Sequence, residues 1–287
     1  MNRVLPVLTV LAAIVAIWYL AAVGLNMDWA RQQLDREGAE ATLPALIGNT
    51  MVQERPVLPA PHQVAAGLWE GIAGQKITSK RSLVWHAWVT LSATLAGFAI
   101  GTLAGGLLAV GIVHNRAMDQ SVMPWAVASQ TVPILAIAPM VIVVLASMGV
   151  TGLLPKAIIS AWLSFFPVLV GMVAGLRSPD AMQLDQMRSW NASASQVFWR
   201  LRLPSAMPYL FASLKVAIAA SLVGTIVGEL PAGATAGLGA RLLSGSYYGQ
   251  TVQIWSALFT AAALAALLVL IVGWTQRITL SRMGLDR

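Results

Sequence analysis

The sequence predicts an all-α, polytopic membrane protein with about six transmembrane helices. Three observations carry that expectation. Hydrophobic residues fill 57% of the 287 positions and charged residues only 10%, against about 25% charged in an ordinary soluble domain. Mean hydropathy is +0.73, and the apolar residues gather into stretches of the roughly 20 residues needed to cross a hydrocarbon core. Tryptophans fall near several ends of those stretches: Trp29, Trp85, Trp88 and Trp255 on one side, Trp125 and Trp274 on the other, as amphipathic indoles do at membrane interfaces. This composition excludes a disordered chain, a disulfide-stapled secreted module and most soluble enzymes.

The spans follow in order. The first, 4–25, begins after Arg3 like a signal peptide. Its apolar stretch is longer than a signal core and no small-x-small cleavage site follows, so it reads as a retained span. The second, 88–113, carries Gly97, Gly101 and Gly105. Spacing by four puts them on one face, where another backbone can come close. The third, 121–148, holds Pro133 and Pro139, and the fourth, 156–176, holds Pro167, each a source of kinking. The fifth, 208–230, has Lys215 near its start, where it can snorkel to the aqueous side. The sixth is 252–274.

Orientation follows the arginines. With both termini in the cytoplasm, Arg3, Arg116, Arg177, Arg188, Arg200, Arg202, Arg277, Arg282 and Arg287 lie inside. The short outer loops then hold only Lys156 and Arg241. The formal charge of +7 thus reports orientation. The basic residues form no dense cluster, so no nucleic-acid partner is expected. The outer segment 28–81 begins with a polar, helix-prone stretch at 28–40. It continues through an extended run at 57–61, where prolines disfavour helix. An amphipathic helix at 64–72, suited to the membrane surface, follows.

Chemistry-bearing residues are sparse. Glu229, near the outer end of the fifth span, is a functional candidate as an intramembrane carboxylate; a structural bond to loop 231–250 is its alternative. His62, His86 and His114 are too dispersed for a metal site. None of the four lysines follows a glycine, so no phosphate-cradling Gly-Lys-Ser/Thr loop is present. No His-Glu-x-x-His or Gly-x-Ser-x-Gly occurs. The chain reads as a non-enzyme without cofactor.

The stretch 177–207 is the most patterned. Ser178-Pro179-Asp180 can start a helix, with Ser178 as N-cap and Pro179 at the first helical position. That helix runs to about residue 190, and Asn191 is a left-handed stop. Ser193-Ala194-Ser195-Gln196 matches a capping box for a second short helix that ends before Pro204. Asp185-Gln186-Met187, then Asn191, then Leu201-Arg202-Leu203-Pro204 resembles the signature loop of the inner-membrane permease subunits of bacterial ABC importers. Their pattern is Glu-Ala-Ala, three residues, Gly, nine residues, Ile-x-Leu-Pro. The spacing is kept. Asp185 retains the carboxylate, and Asn191 tolerates the left-handed backbone as Gly does.

Further stretches carry the same resemblance. Leu58-Pro59-Ala60-Pro61, Leu95-Ala96-Gly97-Phe98 and Val132-Pro133-Ile134-Leu135-Ala136-Ile137-Ala138-Pro139 are similar to segments of the nitrate, sulfonate and taurine type of permease. The branch using pyrimidines or thiamine-precursor pyrimidines looks nearest. Residues 28–55 look like an enlargement of the usual outer loop.

The resemblance implies the type I importer permease fold as a single domain, 1–287, in the bacterial inner membrane. It implies a second permease copy as a homodimer, a cytoplasmic ABC ATPase dimer and a periplasmic substrate-binding protein. In that assembly the helix around 181–190 enters a cleft of the ATPase. Leu184, Met187 and Trp190 are its apolar anchors, Asp185 and Arg188 its charged contacts, and Asn191, Leu203 and Pro204 complete the motif. A translocation pathway between the third and fifth spans has Gln130, Thr131, Ser221, Thr225 and Glu229 as polar candidates. Each hydroxyl can instead bond within its own helix. The competing class is a stand-alone carrier or channel, which needs buried coupling charges that the spans do not supply.

Overall fold

The computed structural model describes residues 4–231 and 234–285. Arg3 and Arg287, assigned above to the cytoplasmic side, lie outside the described residues. The chain divides into two compact units, one formed by 1–87 with 240–261 and the other by 88–239 with 262–287.

In the first unit, α1 (Val4–Glu37) is far longer than the expected span 4–25. Nothing between 25 and 37 breaks a helix, and Gly38, at φ 65°, stops it in a left-handed conformation open to glycine. Its buried residues Ala22, Asn26, Ala30 and Leu34 recur every fourth position. Ala30 and Leu34 pack on Leu46 of α2 (Leu43–Val52), a helix the sequence reading did not foresee. Asn26 anchors the extended stretch that follows. Its Nδ2 donates to Leu58 O at 2.8 Å, and its Oδ1 accepts from Val57 N at 2.7 Å. Next comes α3 (Pro61–Ile72), with Pro61 in the first turn, where its missing N–H costs nothing. Trp18 donates to Pro59 O at 3.0 Å and stacks on Phe259 at 5.8 Å.

The second unit is built on α4 (Leu83–His114), which starts in the first unit, together with α7 (Leu153–Leu176) and the fifth span. Ile112, Phe165, Val168, Leu169, Leu176 and Ala206 form its apolar core. The expected glycine face is real. A methyl group on Gly101 would lie 2.9 Å from Ala161 O, and one on Gly97 2.7 Å from Ala157 O. The α4 and α7 backbones therefore touch through glycine alone.

Two expected elements differ. The span 121–148 is not one straight helix but α5 (Arg116–Ser129) and α6 (Ile134–Ser147), bent by 98°. Pro133 lacks a donor and drives the residue before it out of helical geometry, so the chain breaks at 130–133. The signature loop also departs from expectation. Its first helix, α8 (Ala181–Ser189), has Asp180 rather than Ser178 at the N-cap. Ser178 Oγ is used elsewhere, donating to Gly175 O at 2.8 Å.

The second loop helix does not end before Pro204. Here α9 (Ala194–Val197) runs through a π-helical turn, Phe198–Arg202, into α10 (Leu203–Glu229). Leu203 N–H bonds five residues back, to Phe198 O. That wider turn makes room for the Pro204 ring, which would otherwise collide with the carbonyl four residues earlier. After α10 come α11 (Leu238–Tyr247) and α12 (Thr251–Arg282). Helices long and apolar enough to cross a membrane are α1, α4, α7, the continuous 194–229 and α12, with the bent pair as a sixth candidate.

Candidate functional site

The signature loop forms a projecting elbow. No residue of α8 is buried, although Met182 is 80% and Trp190 67% exposed. A helix that exposes such side chains has surface left for a partner. Its end is a Schellman motif: Asn191 N–H donates to Arg188 O at 2.8 Å and Ala192 N–H to Met187 O at 3.0 Å. Asn191, at φ 53°, is the one non-glycine residue of positive φ among the described residues. The reversal lets Ser193 start α9 through the expected capping box, with Ser193 N donating to Gln196 Oε1 at 2.8 Å and Gln196 N to Ser193 Oγ at 3.3 Å.

Asp185 and Arg188, expected to meet a partner, pair with each other at 2.9 Å. Both are largely exposed, so the pair is weak and open to exchange. Leu184, Met187, Leu203 and Pro204 are half-buried. The elbow is tied to the spans at its base. Arg202 Nη1 donates to Leu176 O at 2.8 Å, and Arg177 pairs with Asp119 at 2.8 Å.

Between α4, α7 and α10 runs a buried polar seam. Each helix carries hydroxyls four residues apart, namely Thr90 and Thr94, Ser160 and Ser164, Ser221 and Thr225. Ser160 Oγ donates toward Ser221, whose carbonyl and hydroxyl oxygens lie at 2.8 and 2.5 Å. Ser221 Oγ donates to Thr94 O at 2.8 Å, and Thr94 Oγ1 lies 3.1 Å from Thr225 Oγ1. The seam ends at Glu229, fully buried. Thr90 Oγ1 donates to its carboxylate at 2.9 Å, Gly239 N–H at 3.0 Å and Lys156 Nζ at 3.3 Å. Lys156 also donates to Ala236 O at 3.0 Å. A buried carboxylate with that many donors is compensated in place. The bond to loop 231–250 anticipated for Glu229 is thus present. The Lys156 pair and the Thr90, Thr94 and Ser160 hydroxyls were missed, though the four-residue spacing of the hydroxyls was a usable signal.

The five pathway candidates therefore separate. Ser221, Thr225 and Glu229 sit inside the seam. Gln130 and Thr131 are exposed at the α5–α6 break, where Thr131 Oγ1 donates to Ala128 O at 2.8 Å. Beside the Lys156 end of the seam lies a cavity of about 610 Å³, lined mainly by small and apolar residues with Ser92, Thr151, Thr235 and Lys156. Outside the spans, burial and then the neighbouring Arg81 lower the Arg241 guanidinium from its ordinary pKa. Among the described residues no group of His, Cys, Asp and Glu can hold a metal ion.

Residues 97–284 match the family described as the binding-protein-dependent transport system inner membrane component. The chain belongs to that family. It is 30% identical to the riboflavin transport system permease protein RibX of Chloroflexus aurantiacus over 77% of this chain and 79% of the relative. It is 29% identical to the formylaminopyrimidine transport permease protein ThiX of Halalkalibacterium halodurans, over 67% and 72%. It is also 27% identical to the taurine transport system permease protein TauC of Escherichia coli, over 74% and 75%. The protein is thus a permease subunit of an ABC importer for a small solute, of the nitrate, sulfonate and taurine type, with the type I importer permease fold. As a family member with several apolar helices, it is an integral inner-membrane protein.

Proposed function

We propose that the α8 elbow couples a cytoplasmic ABC ATPase to the spans of this permease. The observation that carries the reading is the elbow itself: a helix with no fully buried residue, stopped by Asn191 and followed at once by α9, which runs into α10 without a break. A push on α8 passes across the capped turn at Asn191 and Ser193 to the continuous α9–α10 helix and, through Arg202 and Leu176, to α7. Leu184, Met187 and Trp190 supply the apolar contacts. Asp185 and Arg188 exchange their mutual pair for partner charges, and Leu203 and Pro204 hold the π turn. ATP is hydrolysed by the ATPase dimer and not by this chain. Two permease copies, each a single domain of 1–287 with both termini in the cytoplasm, take solute from a periplasmic binding protein.

The solute we propose is a planar nitrogen heterocycle of the pyrimidine kind. RibX and ThiX are named for riboflavin and formylaminopyrimidine, and both compounds contain a pyrimidine ring. The mainly apolar cavity beside Lys156, with a few hydroxyls, suits such a ring better than a small hydrated anion. Gln130 and Thr131 face the pathway at the α5–α6 break, whereas Ser221, Thr225 and Glu229 serve by holding the wall together. The decisive test is vesicle uptake and ATPase assembly with Asp185→Lys and with residues 185–191 deleted. The expected result is loss of uptake and assembly; normal values for both would refute the coupling role.

A further inference from the structure

Lys215 is a charge within a membrane-crossing helix that the transport mechanism above does not use. An ionisable group at such a position needs a partner or a function. Its side chain does not run free along its own helix. It reaches α12, where a methyl group built on Gly273 would lie 3.6 Å from Lys215 Cε and 3.9 Å from Nζ. Lys215 and Arg277 line one cavity of about 680 Å³ in the second unit, together with Leu270, Trp274 and Gln276. The lining contains no carboxylate, and neither cation is in an ion pair among the described residues.

The apolar part of the lining is turned outward. Leu270 is 69% and Trp274 65% exposed, on a helix that crosses the membrane. Arg277 follows Trp274 by three positions and so lies on the same helix face. Two cations beside an exposed indole and an apolar helix face match an anion attached to hydrocarbon. We infer that Lys215 and Arg277 form a binding site for the phosphate of an anionic phospholipid, with the acyl chains lying along Leu270 and Trp274 of α12. The Lys215 ammonium is then neutralised within the membrane, and the lipid braces α10 against α12.

The site is tested on the purified full-length permease by native mass spectrometry and thermal unfolding. The probes are phosphatidylglycerol, phosphatidylcholine and inorganic phosphate at matched ionic strength. Each cation contributes about five-fold, so phosphatidylglycerol is expected to bind about 25-fold tighter than phosphatidylcholine. Lys215→Gln with Arg277→Gln should abolish that preference, and Lys215→Arg should keep it. Equal retention of the two lipids by the wild type would overturn the proposal, as would an unchanged preference in the double variant. Protection by inorganic phosphate equal to that by phosphatidylglycerol would also overturn it, by showing a site for free anions. Should the double variant fail to fold, the wild-type preference and the exposed single variant Arg277→Gln still decide.

Discussion

The seam between α4, α7 and α10 and the elbow around α8 use the same kinds of residue to opposite ends. In the seam, the hydroxyls and Glu229 are buried and Lys156 is partly so, and each is bonded to another helix or to its own backbone. Their geometry is fixed by what surrounds them, because an unmet polar group there costs about 1–3 kcal/mol. In the elbow, Asp185, Arg188 and Trp190 face outward. Among the described residues Asp185 and Arg188 form an ion pair only with each other, and replacing it costs almost nothing. The difference fits the proposed division of labour, in which the seam holds helices together and the elbow meets the ATPase.

Substitutions can break or sharpen this division. The largest effect is expected from Gly101→Leu, since even a methyl there meets Ala161 O and Phe165 N at 2.9 and 3.1 Å. Helix separation would follow, and folded protein should vanish from size-exclusion profiles. Deleting 185–191 should abolish uptake yet change the unfolding temperature little, because no residue of α8 is fully buried. A large drop in that temperature would erase the proposed contrast. Glu229→Ala leaves Lys156 and two further donors, Thr90 Oγ1 and Gly239 N–H, facing a void, with an expected loss of about 3–5 kcal/mol in denaturant titrations. Joint replacement, Lys156→Met with Glu229→Leu, should recover much of it. Asn191→Val should cost about 1 kcal/mol, from the left-handed backbone, while Asn191→Gly is neutral. Thr131→Val should shift stability by less than about 0.5 kcal/mol, its hydroxyl being exposed and bonded only to its own turn. Any marked change in uptake from that variant would then report directly on the pathway.

Much of this was legible in the chain. Hydropathy located the spans, and the four-residue glycine spacing gave the α4 face that meets α7. The loop's start, stop and restart could be read from Asn191 and Ser193, because capping is a local interaction between residues three or four apart. The N-cap was misplaced for a long-range reason: Ser178 is engaged by Gly175 at the end of α7. Pro204 would terminate a helix of regular α spacing, and a single π turn absorbs it. The Lys156–Glu229 pair joins residues 73 positions apart, a distance no local pattern spans.

The sequence by itself determined a helical membrane permease, its spans, its signature loop and its family. Those follow from hydropathy, turn chemistry and motif spacing, which are properties of short segments. Only the tertiary structure decided which polar residues are locked between helices and which remain available. It locked Ser221, Thr225 and Glu229 between helices and brought Lys215 and Arg277 to one cavity. Burial and pairing depend on what other helices bring to the same place, so they exist only once the helices have packed.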